Sequence, residues 1–370
     1  TLNVAGTATL AGASVLGDVN VKNGGQLTLS GAVDAGDIAV DNTAVKEADA
    51  KATTRTIGSA DATNVVAAKS LTVKGIAQNS GGSAVVSGNA VSIDTVTVGR
   101  FGTFELNAKE LTVKDLTVGS ELASDNTNAQ NATLTLTSGS LTAENITIGA
   151  YSTTTNTANV DITTKTLSVK GADKNLAQIS LSGDNEVGTL TVGNFGKVTV
   201  GGSAEIGTIT LAAESKTGAK DNGLLSLSDG AYVITTSDQL FKPVAEKTGI
   251  EAIGALKTGI TNDSTNAGSV VLRLNDAEFN YTLEQYQALL KNTGKKQAKV
   301  ELANALLVGA STDTHKKGTF ADAKEVGYTG KSAIAAYQDS DTPAVAVKGE
   351  MVIGSLELAP NASTTQKYTT

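Results

Sequence analysis

The sequence predicts a mostly β chain: a right-handed parallel β-helix, a solenoid with three short strands and about 20 residues per coil, carrying a small α+β insertion. Three observations predict it. A short pattern with apolar residues at i, i+2, i+5 and i+7 recurs through the first part of the chain. The distance between copies has a floor near 20 residues, about one coil of such a solenoid, with variable additions. The first 242 residues contain no proline, while 39 glycines punctuate the 370 residues.

The pattern is plainest at 91–99 (VSIDTVTVG), 111–119 (LTVKDLTVG) and 141–149 (LTAENITIG). Each copy holds two period-2 runs separated by one phase slip. A period-2 run is a strand with one buried face. In a straight strand the slip would turn the second run outward, so a corner between the runs is required to keep both sets inside. Copies begin at 14, 33, 66, 91, 111, 141, 162, 185 and 204. Of their 36 inward positions, only Ser14, Thr164 and Asn185 are not apolar. Of the 36 interleaved outward positions, only Val15, Ala39 and Ala67 are apolar. A third short run follows each pair, as in Leu27-Thr28-Leu29, Phe104-Glu105-Leu106, Leu134-Thr135-Leu136 and Val198-Thr199-Val200. Stacked coils of this kind lie about 4.8 Å apart, the normal strand separation.

Glycine often closes the second run, at Gly99, Gly119, Gly149 and Gly193. Its freedom to adopt positive φ suits a corner. The extra residues of the longer copies fall at about 41–56, 74–82, 119–132, 170–177 and 212–223. Stacking places these loops along one edge, and insertions gathered on one face often form a binding face. Arg100, Phe101, Tyr151, Asn194 and Phe195 share that edge. They are the candidate ligand-binding residues, with capping of the core as the competing role.

After Leu227 the pattern stops. Of 13 aromatic residues, four lie in 1–230 and eight in 231–342. Such bulk suits a small separate core. A helix is expected from Ser237 to about Gly249, and another from Thr282, with Gln285 completing a capping box, to about Gly294. Ser269–Leu274 reads as a strand, and Val300–Val308 is ambiguous. Alternation returns at Val345, Val347, Met351, Ile353, Leu356 and Leu358. The expected organisation is a solenoid over 1–233, an α+β insertion over 234–342 and a resumed solenoid over 343–370, the whole a fragment of a longer protein.

The net charge of −8 argues against nucleic acid and anionic membrane as partners. No apolar run is long enough for a membrane helix. Without cysteine there is no disulfide framework and no thiolate ligand. The single histidine, His315, lies in a lysine-rich loop and cannot by itself build a histidine metal site or a catalytic triad. Asp18, Asp37 and Asp115 share the i+4 place and Asp94 sits one place earlier. They read as a solvated corner, not the converging pair that glycoside chemistry needs. No catalytic residue, metal site or cofactor is expected.

The LTVKDLTVG, LTAENITIG and LTVG copies resemble the passenger regions of bacterial autotransporter adhesins and the related filamentous-haemagglutinin-like proteins. The likeness covers about 1–230 and 345–360. It implies a β-helical rod exported to the bacterial outer-membrane surface, with a signal peptide and a membrane barrel elsewhere in the full product. The implied function is attachment: a rod presenting loops and an inserted domain to a host-cell receptor, a glycan, a matrix protein or a neighbouring cell. Two other readings stay open, a polysaccharide lyase or hydrolase and a self-associating matrix or surface-layer protein.

Overall fold

The computed structural model describes residues 1–22, 25–41, 53–57, 65–75, 81–119, 132–137, 139–156, 159–172, 176–213, 221–243, 245, 253–265, 271–274, 299–308, 324–327, 333–337, 344–348, 353–358 and 363–364. The described residues are mostly β, dominated by parallel strand pairing, with almost no helix among them. It divides into two compact units, Thr1–Ala204 with Ile209–Leu225, and Glu205–Thr208 with Ser226–Thr370.

In the first unit the sequence repeats pair in register. One column of parallel partners runs Leu2, Val19, Ile38, Leu71, Val96, Leu116, Ile146, Leu167, Leu190 without a slip. The third runs form a second ladder through Leu10, Leu29, Ile57, Val86, Leu106 and Leu136. Equivalent residues of successive repeats therefore stand directly above one another. Every inward position of the nine copies is buried except Ser14, Leu16 and Leu211.

In the copy at 14 the two runs are separate strands, Ser14–Leu16 and Val19–Val21, and from the copy at 33 onward they form one bent strand, as in Ser140–Ile148. The bend is legible in burial: Ala143 and Ile146 are buried, while Glu144 and Asn145 between them both face out. In the ladder between Gly102–Val118 and Ser140–Ile148, Val113 pairs with Ala143 and Asp115 with Asn145, and only Lys114 and Glu144 drop out. A single residue at i+3 thus makes the corner, and hydrogen bonding resumes at once. For the same reason Gly82–Val98 and Gly102–Val118 run as continuous strands through the third run and the next copy. The short separate strands expected from the sequence are bent longer ones, because the corners interrupt the ladder by so little.

Of the three polar inward positions, Ser14 is only half-buried, while Thr164 and Asn185 are buried and make local hydrogen bonds, with Asn185 Oδ1 left without a partner. Thr164 Oγ1 lies 3.2 Å from the Glu144 carbonyl oxygen and 3.0 Å from that of Thr166, so its proton serves either at the corner. Asn185 Nδ2 donates to the Gly183 carbonyl at 2.6 Å and to that of Ser203 in the next repeat at 2.8 Å. The outward i+4 places are also linked from repeat to repeat. Ser70 Oγ donates to Asp37 at 2.8 Å, Asn145 Nδ2 to Asp115 at 2.7 Å, and Thr166 Oγ1 to Asn145 at 2.7 Å. The carboxylates of Asp37 and Asp115 thereby act as staples between layers.

In the second unit, Tyr232–Thr235, Val271–Leu274, Lys299–Val308 and Ile353–Leu358 pair in parallel, in that order. The strand expected at Ser269–Leu274 is present as Val271–Leu274, and the ambiguous Val300–Val308 is a strand. Ala344–Lys348, which carries Val345 and Val347, pairs antiparallel with Ala333–Tyr337. The helix expected from Ser237 covers only Ser237–Leu240. It stops because Phe241–Pro243 pairs antiparallel with Ile253–Leu256, and Phe241 and Leu240 are buried there. The helix expected from Thr282 and the loop of His315 lie outside the described residues.

The Thr236 hydroxyl donates to Asp238 at the start of this short helix, and that bond holds the Asp238 carboxyl below the usual carboxylate range. A depressed folded-state pKa contributes stability above the unfolded value and loses it as pH falls through the folded one. Asp238→Asn should therefore flatten the acid limb of stability slightly, measured as the urea midpoint between neutral and acidic pH. For the first unit, Leu116→Ala removes a 1% exposed side chain from the long column and should cost about 2–5 kcal/mol. Val15→Ala, at 85% exposure, should stay within about 0.5 kcal/mol in the same urea titration.

Candidate functional site

Three turns of the first unit share one construction. Gly99-Arg100-Phe101-Gly102, Gly149-Ala150-Tyr151-Ser152 and Gly193-Asn194-Phe195-Gly196 each link the second run of a copy to a third run. The amide of Gly102 donates to the Gly99 carbonyl at 2.9 Å, and that of Gly196 to the Gly193 carbonyl at 3.0 Å. In the middle turn the Ser152 hydroxyl donates to the Gly149 carbonyl at 2.7 Å.

The third residue of each turn takes the left-handed conformation, with φ of 52° at Phe101, 55° at Tyr151 and 55° at Phe195. Glycine or asparagine is usual at such a position, because a larger side chain there costs about 1–2 kcal/mol. The corner glycines were expected to supply positive φ. Of those four, only Gly119 does so, with φ of 115°. At Gly193 the reason for glycine is space: an added Cβ would fall 2.8 Å from Lys170 Cγ of the preceding repeat. The strained conformation passes instead to the aromatic residues two places on.

The ladder sets their spacing. Thr103 pairs with Thr133 and Ala132 with Ser152, so Phe101 and Tyr151 stand two strands apart. Ala177–Leu181 packs against Ser152–Asn156 and pairs with Gly196–Val200, so Tyr151 and Phe195 are again two strands apart. Two strand separations amount to about 9.6 Å. All three aromatics are half-buried, and Leu176, 46% exposed, immediately precedes the intervening strand Ala177–Leu181.

The remaining predicted residues brace this column. The Arg100 guanidinium carbon lies 5.1 Å from the centroid of the Phe101 ring, a cation–π contact, and the Arg100 carbonyl accepts from the Gly75 amide at 2.8 Å. Asn194 Nδ2 donates to Asp221 Oδ2 at 3.2 Å, and the Phe195 amide to the Asp221 carbonyl at 3.0 Å. Arg100, Phe101, Tyr151, Asn194 and Phe195 thus occupy equivalent turns along a single edge. Most of the loop residues expected beside them lie outside the described residues.

The sequence reading did not mark a second feature, a groove of about 560 Å³. It follows the first run of five successive copies, those beginning at 91, 111, 141, 162 and 185. One side is a column of exposed hydroxyls, Ser92, Thr112, Thr142 and Thr163, ending at Glu186. The floor is Ile93, Val113, Ala143 and Thr164, all buried. The other side is the corner column Asp94, Lys114, Glu144 and Lys165, in which charge alternates. Lys165 Nζ lies 3.0 Å from Glu144 Oε1, an exposed pair worth about 0–1 kcal/mol. The signal for the groove was present in the sequence as the alternation of sign at i+3. Its depth comes from long i+3 side chains standing beside short hydroxyls at i+1.

The left-handed aromatics give a direct measurement. Phe195→Gly relieves the backbone but loses the contacts of a half-buried ring, so its stability should change by no more than about 1 kcal/mol. Phe104→Ala empties a fully buried site and should cost about 3–5 kcal/mol. Equal losses for the two in chemical denaturation would make Phe195 a core cap. No protein-family model, curated protein or solved structure matches this chain.

Proposed function

We propose that the chain is a stretch of a bacterial cell-surface adhesin, an autotransporter-type passenger whose repeats wind into right-handed coils of about 20 residues. The stack is a non-enzymatic scaffold outside the outer membrane. It holds an adhesive edge toward a host-cell receptor, a glycan, a matrix protein or a neighbouring cell.

One observation carries this reading: three aromatic residues in strained left-handed turns, in one column, at equal two-strand intervals. Strain kept at equivalent places is a mark of function, because glycine or asparagine would hold the same turn at lower cost. Half-buried aromatics offer large contact area at little entropic loss, and such residues are enriched where proteins bind one another. Arg100 over Phe101 and Asn194 on Asp221 hold two of these turns in place. The in-register ladder supplies the rigidity that a displayed surface requires.

Beads coated with the 370-residue chain should attach to epithelial monolayers, matrix-coated surfaces or bacterial lawns. The combined Phe101→Asn, Tyr151→Asn and Phe195→Asn variant should attach several-fold less while keeping its β circular-dichroism spectrum. Attachment that persists in a folded triple variant would remove the aromatic column from the adhesive role. Attachment absent from the parent chain on every surface would remove the adhesin reading itself.

A further inference from the structure

We propose that the groove lined by Thr112, Thr142 and Thr163 binds one chain of an uncharged, β-linked polysaccharide laid along the stack, one sugar to each repeat. The groove is separate from the aromatic column, so this inference goes beyond the adhesive edge and stands or falls without it.

Four features select that ligand. The first is pitch. A pyranose linked equatorially at C1 and C4 advances about 5 Å, close to the strand separation of about 4.8 Å, so each repeat meets one sugar, with successive sugars of the two-fold ribbon presenting alternate edges. An extended peptide advances about 3.3 Å per residue and falls out of step within two repeats. The floor strands also have their backbone groups paired with both neighbours, so a peptide cannot add to them as a strand.

The second feature is the chemistry of the hydroxyl side. Ser92, Thr112, Thr142 and Thr163 are exposed and each can donate and accept, which matches the dual character of a sugar hydroxyl. The third is the opposite side. Lys114 offers donors and Asp94 offers acceptors, and among the described residues neither makes an ion pair. The carboxylates Asp94, Glu144 and Glu186 alternate with the ammonium groups of Lys114 and Lys165 along the groove. A polyanion would meet the first set and a polycation the second, so the arrangement favours an uncharged chain. The fourth is the floor, where Ile93, Val113 and Ala143 turn their side chains into the core, so that the bottom of the groove is flat main chain over which the ring of a pyranose can lie.

Because five copies contribute to the groove, it accommodates about five sugars. The test is isothermal calorimetry of the whole chain with β-1,4-linked gluco-, manno- and N-acetylglucosamine oligosaccharides and β-1,3-linked gluco-oligosaccharides, each from two to seven sugars. Affinity for at least one series should rise with every added sugar up to five and then level. The Thr112→Val, Thr142→Val, Thr163→Val variant keeps shape and strand preference but loses three hydroxyls, and should bind about tenfold more weakly or worse. Should it fail to fold, Thr142→Val alone should weaken binding a few-fold. The variant with asparagine at Phe101, Tyr151 and Phe195 should bind as the parent does. No heat from any series at millimolar sugar, affinity that does not level near five, or undiminished binding by a folded valine variant would each overturn the proposal.

Discussion

Parallel hydrogen bonding between successive repeats, held in one register from Leu2 to Leu190, is the constraint on which the rest of the first unit depends. Each backbone bond fixes which residue of one repeat stands over which residue of the next. A slip of one residue would exchange the inward and outward sets throughout a strand. Aliphatic side chains at i, i+2, i+5 and i+7 make that exchange costly, since each buried Leu, Val or Ile contributes about 1.5–3 kcal/mol through burial. Register and core are therefore one constraint seen from two sides. Insertions are accommodated between ladders: Val118 still pairs with Ile148 across the additional residues after Gly119.

The corner follows from the same arithmetic. Two runs of inward residues separated by an odd interval cannot share a straight strand, so the chain bends at i+3 and only that residue leaves the ladder. Once freed from pairing, the i+3 place tolerates long charged side chains, and Lys114, Glu144 and Lys165 collect there. Beside them, i+4 residues such as Asp115 and Asn145 turn back into inter-repeat hydrogen bonds. Polar chemistry on this surface thus divides into groups that bind layers together and groups that remain free to meet a ligand.

A surface built in this way repeats like chemistry at a fixed interval. The ladder lays equivalent positions out in lines. Such lines suit partners that are themselves extended or repetitive, and on the proposed reading both the aromatic edge and the hydroxyl groove use this property. The strain at Phe101, Tyr151 and Phe195 and the alternation of charge at i+3 are both repeated features, so neither is the accident of one loop.

The amino-acid order alone determined the inward set, the phase slip and the floor in repeat length, because burial demands a two-residue period that any reader can count. It also placed Arg100, Phe101, Tyr151, Asn194 and Phe195 on equivalent turns. It misassigned the positive φ to the corner glycines, since a glycine chosen for space, as at Gly193 against Lys170, looks in sequence like one chosen for conformation. It overextended the helix from Ser237, because the antiparallel partner of Phe241–Pro243 is a non-local segment, Ile253–Leu256, that helix propensity cannot register. It left the groove unseen, although every residue lining it was in view. Depth is a relation between side chains 20 to 30 residues apart, such as Thr112 and Thr142 or Lys114 and Glu144, and only stacking in three dimensions brings them side by side.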